Sequence, residues 1–220
     1  MSDSRIIQHG REVVRIEAQA LEAMLERIND DFARAVEMLY ASSGRVVVTG
    51  IGKSGLIARK IVATMNSTGT PAIYLHPADA IHGDLGMVRS EDVVLLLSKS
   101  GNTEELKQIV PIFQRIGVHI ISILGNMAHS TLSEVSNIVL DASVAEEACP
   151  HNLAPTASTT AALALGDALA VALLHKRDFT AEDFALFHPG GILGKRLLLR
   201  IDQIMTAGES MTRVHQAVAL

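Results

Sequence analysis

Short runs of apolar residues without polar alternation recur along the chain, and helical patterns separate them. The clearest run is VVLLL at residues 93–97, which is typical of a strand buried on both faces, as in a parallel sheet. Further strands are predicted at residues 45–49, 71–75, 118–124 and 137–140. Because helices alternate with these strands, the chain is predicted to form an α/β fold in which helices cover both faces of a parallel sheet.

The segment before the first strand has apolar residues at helical spacing, no proline and one early glycine. It predicts one long amphipathic helix over residues 4–40, or two helices with a break near Asn29 and Asp30. Such a helix packs either on a partner subunit or on its own domain. Other predicted helices end near Ser67, Ile116 and His175, and short ones begin near Ser130 and Thr180.

The turn after the first predicted strand is GIGKSG at residues 50–55, which matches the dinucleotide fingerprint G-x-G-x-x-G. A Walker A loop is excluded, because the glycine that it needs before Gly-Lys-Ser would fall at Val47. The second strand runs into His76 and Pro77, where a dinucleotide site calls for an acidic residue. Dinucleotide binding is therefore the weaker interpretation of this turn.

The turn after the third predicted strand is SKSGNT at residues 98–103. Gly101 permits a sharp turn, and Thr103 is predicted to cap the helix that begins at Glu104. Hydroxyls and free backbone N–H groups at a helix N-terminus bind anions readily. We therefore predict a phosphate-binding loop here; an ordinary turn with a capping threonine is the alternative.

Composition narrows the function classes. The net charge of −5, the absence of tryptophan and the 3% aromatic content argue against nucleic-acid binding. The single cysteine, Cys149, excludes an intrachain disulfide and has no metal-ligand spacing around it. The N-terminus has no apolar signal core, and no apolar run approaches the roughly 18 residues of a membrane span. We expect a cytoplasmic protein with no membrane partner.

The chemistry-bearing residues point to proton transfer. The ionisable residues near the predicted turns are Lys53, His82, Glu105, Glu147 and His188. Neither a metal-ligand spacing nor a G-x-S-x-G nucleophile motif is present. Phosphate anchors with carboxylates and histidines fit aldose–ketose isomerisation of a sugar phosphate, which needs ring opening, a base and a group that steadies the enediolate.

From about residue 5 to 205 the chain resembles the sugar isomerase (SIS) domain of the arabinose 5-phosphate isomerases. The motifs that carry the resemblance occur in the family's order: TGIGKSG (49–55), STGTP (67–71), HGDLGM (82–87), SKSGNT (98–103), EACP (147–150), LAPT (153–156), GDALA (166–170) and FALFHPGG (184–191). The resemblance implies a three-layer α/β/α sandwich with a five-stranded parallel sheet. It also implies a homotetramer in which subunits complete each other's sites.

The activity that the resemblance implies is interconversion of D-arabinose 5-phosphate and D-ribulose 5-phosphate without a cofactor, which supplies 3-deoxy-D-manno-octulosonate for lipopolysaccharide. Its phosphate-binding residues fall on Ser54, Ser98, Ser100 and Thr103, and its site residues fall on Lys53, His82, Glu105, Glu147 and His188. We assign Glu147 as enediol base, His188 to ring opening, and Lys53 with Glu105 to orienting the sugar hydroxyls. No metal is required; inhibitory zinc in the family would bind His82 and His188.

Two features depart from the family pattern. Residues 201–220 resemble only the opening of a CBS domain, so we expect an SIS domain over residues 1–200 and then a CBS stump or flexible tail. Lys99 stands where the family has an amide residue, and we expect its charge to face solvent rather than the phosphate.

A sugar-phosphate-sensing SIS module without catalysis is the main alternative, because SIS domains also occur in transcriptional regulators. Those regulators carry a DNA-binding domain, and the acidic N-terminal helix offers no basic face for one. They can also lack the catalytic carboxylates, whereas this chain has both Glu105 and Glu147. A dinucleotide oxidoreductase is the third interpretation. The residues favour the isomerase.

Overall fold

The structure, a computed structural model, describes residues 3–190 and residue 205, and it divides the chain into two compact units, Met1–Phe179 and Thr180–Leu220. The first unit contains a five-stranded parallel sheet in the order β2-β1-β3-β4-β5. The strands are β1 Val46–Thr49, β2 Ala72–Leu75, β3 Val93–Ser98, β4 His119–Leu124 and β5 Ile138–Asp141. All five predicted strands are confirmed, and helices flank the sheet as the three-layer prediction requires.

The helices of the first unit are α1 Asp3–Leu25, α2 Asp30–Ala41, α3 Gly52–Ser67, α4 Pro77–Ile81, α5 Glu104–Ile116, α6 Thr131–Glu134 and α7 Ala157–Lys176, with a 3-10 helix at Asp84–Met87. The N-terminal segment forms two helices rather than one. The break has a local cause, because the Asn29 side chain accepts a hydrogen bond from the Asp31 N–H and caps α2.

Two clusters of buried apolar side chains, one on each face of the sheet, hold the helices to it. Because successive side chains of a strand point to opposite faces, Val48 packs with one apolar cluster and its neighbour Val47 with the other. The first cluster includes residues of α2, α3 and α7, and the second includes those of α5, among them the fully buried Phe113. Burying an aliphatic or aromatic side chain of this size stabilises the fold by about 1.5–3 kcal/mol.

Helices α3 and α7 approach closely because of a glycine. A Cβ atom at Gly166 of α7 would overlap the side chain of Ile61 on α3, so only glycine allows this separation. Ile61 belongs to the first apolar cluster, and Gly166 is buried as well. The distance between α3 and α7 is thus determined by the contact of Gly166 with Ile61 in the core.

Helix α7 is long and apolar enough to cross a membrane by length and composition, contrary to the expectation that no segment approaches this length. Its buried residues, which include Ala161, Leu165 and Leu169, belong to the core of the first unit. The same test is passed by core helices of soluble proteins, and burial in the core explains the apolar composition of α7.

The strand order reverses between β1 and β3, which lie side by side with Thr49 opposite Leu96. The turns that follow these two strands are therefore neighbours at the carboxyl edge of the sheet. Ligands of open α/β sheets bind at this switch point. The fold thus brings together the turn at residues 98–103, which the sequence predicts as a phosphate-binding loop, and the glycine-rich turn at residues 50–55.

The second unit begins with a capping box. Thr180 accepts a hydrogen bond from the Asp183 N–H, and the Asp183 carboxylate accepts from the Thr180 N–H, which starts α8 at Ala181–Phe187 as predicted. The predicted domain boundary after residue 200 and the CBS-like tail lie outside the described residues, apart from Met205, and stay predictions.

Candidate active site

The turn between β1 and α3 is held by a tyrosine of β2. The Tyr74 hydroxyl donates a hydrogen bond of 2.8 Å to the Gly50 carbonyl, and the Arg59 guanidinium lies 4.1 Å from the centre of its ring. A Cβ atom at Gly55 would come within 2.7 Å of both the Gly50 oxygen and the Tyr74 hydroxyl, so this turn requires glycine. Burial raises the pKa of Tyr74, which keeps its hydroxyl a donor. Lys53 and Ser54 follow in the first turn of α3.

The serine loop after β3 is organised by its own hydroxyls. The Ser98 hydroxyl accepts a hydrogen bond of 3.0 Å from the Gly101 N–H and lies 2.8 Å from the Thr103 hydroxyl. Thr103 precedes α5 but makes no side-chain capping bond, because its hydroxyl pairs with Ser98. The predicted side-chain cap is therefore wrong. The N–H groups of the first turn of α5 are left without that partner, which suits an anion better than a capped end would.

A second loop fixes the serine loop from behind. The Ser130 hydroxyl donates to the Gly101 carbonyl at 2.9 Å. The Asn102 side chain donates to the His129 carbonyl at 2.9 Å and accepts from the Thr131 N–H at 3.0 Å. The Leu132 N–H also donates to the Gly101 carbonyl at 3.1 Å. These four hydrogen bonds from another segment hold the loop in one shape, which lowers the ordering cost of binding.

A cavity of about 220 Å³ opens at the carboxyl edge of the sheet. Its polar lining residues are Lys53, Ser54, Ser98, Lys99, Ser158 and Thr159. The predicted residues Lys53, Ser54 and Ser98 thus meet at one cavity.

Glu147 is buried, with 3% of its surface exposed, and is anchored to the start of α7. Its Oε2 atom accepts hydrogen bonds from the N–H groups of Thr156 at 2.8 Å and Ser158 at 3.1 Å. Its Oε1 atom contacts the Lys99 ammonium at 2.6 Å and accepts from the Ser158 hydroxyl. Thr156 supplies no side-chain cap, so the Glu147 carboxylate caps the helix from nine residues upstream.

The environment of Glu147 predicts an acid-dependent loss of stability. Burial raises the pKa of Glu147, but hydrogen bonds from Lys99, Ser158 and Thr156 outweigh it and lower the pKa from 4.5 to about 2. A carboxyl with a lowered folded-state pKa stabilises the fold above its unfolded pKa and loses that contribution as the pH falls. We expect roughly 3 kcal/mol of unfolding free energy to be lost between about pH 4.5 and pH 2.

Urea unfolding at a series of pH values measures this slope, and Glu147→Gln should flatten it. Glu146→Gln is the matched control, because Glu146 is the exposed neighbour of Glu147 and should follow the wild-type curve. Parallel curves for the wild type and the Glu147→Gln variant would contradict the assignment.

The sequence predicts that the charge of Lys99 faces solvent, and this prediction is wrong. Its ammonium pairs with the buried Glu147 carboxylate, although 44% of its side-chain surface is exposed. A Cβ atom at Gly125 would come within 2.9 Å of the Lys99 carbonyl and 3.3 Å of its Cγ, so the glycine leaves room for the lysine stem. The solvent prediction failed because the partner of Lys99 lies 48 residues away in sequence.

The other predicted site residues do not line this cavity. His82 is exposed at the end of α4, Glu105 is half-buried in the first turn of α5, and Ser100 and Thr103 lie in the serine loop. His188 belongs to the second unit, where its ring stacks on Phe184 and its Nδ1 atom lies 2.8 Å from the Phe184 carbonyl. No cluster of three metal-ligating side chains occurs within the described residues.

Sequence reasoning missed several residues of the site. Ser158 and Thr159 line the cavity, and Tyr74 holds the first turn. The run of hydroxyl residues at 156–160, just where an apolar helix begins, was the signal that could have found the first two. No sequence signal connects Tyr74 to Gly50, because the contact depends on the pairing of β1 with β2.

Fold and site together define an α/β protein that places two hydroxyl-bearing turns and a buried carboxylate near the switch point of a parallel sheet. The family model of the SIS domain matches residues 38–172, more than half of the chain. The chain belongs to the SIS domain family.

Named relatives give a finer comparison. The chain is 52% identical over 208 residues to the arabinose 5-phosphate isomerase KdsD of Pseudomonas aeruginosa, covering 94% of this chain and 64% of that relative. It is 49% identical over 213 residues to KdsD of Escherichia coli K12, covering 97% of this chain and 65% of that relative. The chain thus spans just under two thirds of the length of these curated relatives.

One solved structure is matched over its whole length. It is an Escherichia coli CFT073 protein in complex with arabinose 5-phosphate, which is 39% identical, has a TM-score of 0.82, and covers 86% of this chain and 100% of that chain. The sheet and helices found here therefore recur in a protein that binds this ligand.

Proposed function

We propose that the chain interconverts D-arabinose 5-phosphate and D-ribulose 5-phosphate as an aldose–ketose isomerase. The observation that carries the proposal is the buried Glu147 carboxylate, whose Oε1 atom is bonded to two residues of the cavity that Ser98 also lines. A phosphate anchor and a shielded carboxylate at one cavity are what proton transfer on a sugar phosphate requires. The named KdsD relatives and the solved complex with arabinose 5-phosphate support the choice of substrate.

Phosphate binding falls to the serine loop and its neighbour. Ser98, Ser100 and Thr103 offer hydroxyls at the uncapped start of α5, and Ser54 adds one from the adjacent turn. The positive end of α5 and the first-turn N–H groups favour a dianion over a neutral sugar. The phosphate thereby fixes the sugar chain so that its carbonyl end enters the cavity.

The reaction moves one proton between two carbons. After ring opening, a base removes the C2 proton of the aldose, and the carbonyl electrons shift onto O1 to form an enediolate. The O2 hydroxyl proton passes to O1, the C2–O2 bond becomes the ketone carbonyl, and the electrons of the C1–C2 double bond take the proton back from the base at C1. We assign the base to Glu147, the ring opening to His188, and the orientation of the sugar hydroxyls to Lys53 with Glu105. A positioned base contributes about 10²–10⁴-fold to such a step. No metal takes part, and His82 with His188 are the residues proposed to bind inhibitory zinc.

Assembly into a homotetramer is part of the proposal. His82 and Glu105 lie outside the cavity lining within the chain, and His188 belongs to the second unit. A tetramer in which subunits complete each other's sites, as the sequence resemblance implies, would supply such residues from a neighbouring copy. We place the enzyme in the cytoplasm, where its product precedes 3-deoxy-D-manno-octulosonate in lipopolysaccharide synthesis.

Turnover of arabinose 5-phosphate by the 220-residue chain tests the proposal. The assay includes a chelator, and ribose 5-phosphate and glucosamine 6-phosphate serve as control substrates. We expect ribulose 5-phosphate from the arabinose ester alone. Binding of sugar phosphate without turnover would favour a sensing SIS module instead and would overturn the catalytic assignment.

A further inference from the structure

The two oxygens of Glu147 have different kinds of partner. Oε2 accepts a long hydrogen bond of 3.2 Å from the Thr156 hydroxyl, but it is held mainly by the backbone N–H groups of Thr156 and Ser158, which cannot leave without unwinding the start of α7. Oε1 is held by two side chains, the Lys99 ammonium and the Ser158 hydroxyl, which can change rotamer. Both of these side chains belong to residues that line the cavity. Glu147 itself is not among the residues that line the cavity, so Oε1 is linked to the cavity through these two side chains, and it is the oxygen that can be released.

As it stands, Glu147 is poorly suited to act as a base. Its carboxylate is satisfied at both oxygens, and an ion pair with Lys99 opposes protonation. A general base works best when its proton affinity is matched to the operating pH. If Glu147 takes a proton from carbon, the environment of Oε1 has to change when the substrate is in place.

Lys99 is placed to make that change. It lies between Ser98 and Ser100, so its backbone is part of the proposed phosphate loop while its ammonium reaches Glu147. Gly125 leaves space beside the lysine stem, and 44% of the side-chain surface is exposed, so the ammonium has room to swing. A phosphate dianion carries about twice the charge of a carboxylate and attracts the ammonium more strongly at equal distance.

We propose that Lys99 is a positioning residue: it links binding of a phosphate group at residues 98–103 to the release of Glu147 Oε1 from its ion pair. A phosphate group in the loop draws the Lys99 ammonium away from Oε1, and the released oxygen is then free to accept a proton. With the loop empty, Lys99 holds Glu147 in its ion pair. The inference rests on the proposed function and adds a regulatory step to the same site.

Other charged groups near Glu147 do not provide this link. A separate cleft bordered by Glu147 also includes His9 and Glu12 of α1, Glu146 and Cys149. Within residues 3–190, Lys99 is the one cation at ion-pair distance from Glu147. None of the groups in that cleft lines the cavity at the serine loop.

The test follows the protonation of Glu147 without any turnover. Carbon-13 NMR of protein labelled at the glutamate carboxyl carbon reports the titration, and the Glu147 signal is identified by its absence in Glu147→Gln. We expect saturating inorganic phosphate to raise the proton affinity of Glu147 at least tenfold, or about one pH unit, in the wild type. An unchanged midpoint in the wild type overturns the inference without reference to any variant.

Lys99→Gln should abolish the dependence of the Glu147 titration on phosphate, because a neutral amide is not attracted to a phosphate dianion as the lysine ammonium is. Its Glu147 should titrate at a higher pH with or without phosphate, and its phosphate Kd should rise about tenfold. Lys107→Gln is the matched control: Lys107 pairs with Glu104 on α5 and does not line the cavity. This variant should behave as the wild type, and an equal response to both substitutions would overturn the inference.

The two proposals fail separately. If the protein turns over arabinose 5-phosphate but phosphate does not change the titration of Glu147, the role of Lys99 is rejected and the isomerase assignment is kept. A phosphate-dependent titration in a protein without turnover supports the link and rejects the isomerase.

Discussion

Replacing Glu147 by glutamine is expected to lower kcat for arabinose 5-phosphate by about a thousandfold, within the range that a positioned general base contributes. Glutamine has nearly the same shape but cannot take a proton at Oε1. KM should fall rather than rise, because glutamine no longer pairs with the Lys99 ammonium and leaves it free for the phosphate group that we propose binds at residues 98–103. Steady-state kinetics at saturating substrate measures the effect.

Folding has to be separated from catalysis in this test, since Glu147 also caps α7. Circular dichroism and unfolding at neutral pH establish that the variant is folded under the assay conditions. Glu146→Gln removes the same charge from the exposed neighbouring position and should retain wild-type kcat. Near wild-type turnover in folded Glu147→Gln would leave Glu147 with a capping role alone, and the base would have to be sought elsewhere.

Gly101→Ala is expected to raise KM about a hundredfold by deforming the phosphate loop. Gly101 has a φ of +69°, and an alanine Cβ there would overlap the Ser130 hydroxyl and lie 2.8 Å from the Asn126 carbonyl. Left-handed backbone alone costs alanine about 1–2 kcal/mol. The overlap adds to this cost because Ser130 is buried and bonded to Gly101.

The opposite end of the same helix offers a control. Gly117 follows α5 with a φ of +90°, and a Cβ atom there would meet open space. Gly117→Ala therefore imposes backbone strain without a collision and far along α5 from the serine loop. We expect both variants to lose stability in thermal unfolding, with KM altered in Gly101→Ala alone. A normal KM in folded Gly101→Ala would contradict the location of the phosphate.

Local patterns predicted the five strands and most of the helices, but not α4 or the 3-10 helix at Asp84–Met87. The unbroken apolar run at 93–97 marks β3 because a central parallel strand is buried on both faces. The break between α1 and α2 follows from the capping preference of Asn29, and Thr180 begins α8 for the same kind of reason. Strand order was less accessible, because it depends on which strands pair rather than on any one segment.

The site was predicted less completely, since its decisive contacts join distant segments. The hydroxyls of the serine loop were visible, but the bond between Ser98 and Thr103 redirects the expected cap. The ion pair of Lys99 with Glu147 joins positions that no local pattern relates. A burial pattern likewise gives no warning that Glu147, a charged residue, lies almost wholly inside the protein.

The contact of Gly166 with Ile61 has a consequence for how this scaffold can diversify. The N-terminal turns of α3 and α7 carry Ser54 and Ser158, so the two helices form opposite parts of the cavity lining. Gly166 lies eight residues, or about 12 Å, along α7 from Ser158. A larger side chain at position 166 paired with a smaller one at position 61, or a smaller side chain at position 61 alone, would change the distance between α3 and α7. The width of the cavity would change with it, while every polar residue that lines the cavity stayed the same. Under the proposed function, apolar substitutions at these two interior positions would change which sugar phosphates fit, while the residues assigned to the chemistry stayed the same.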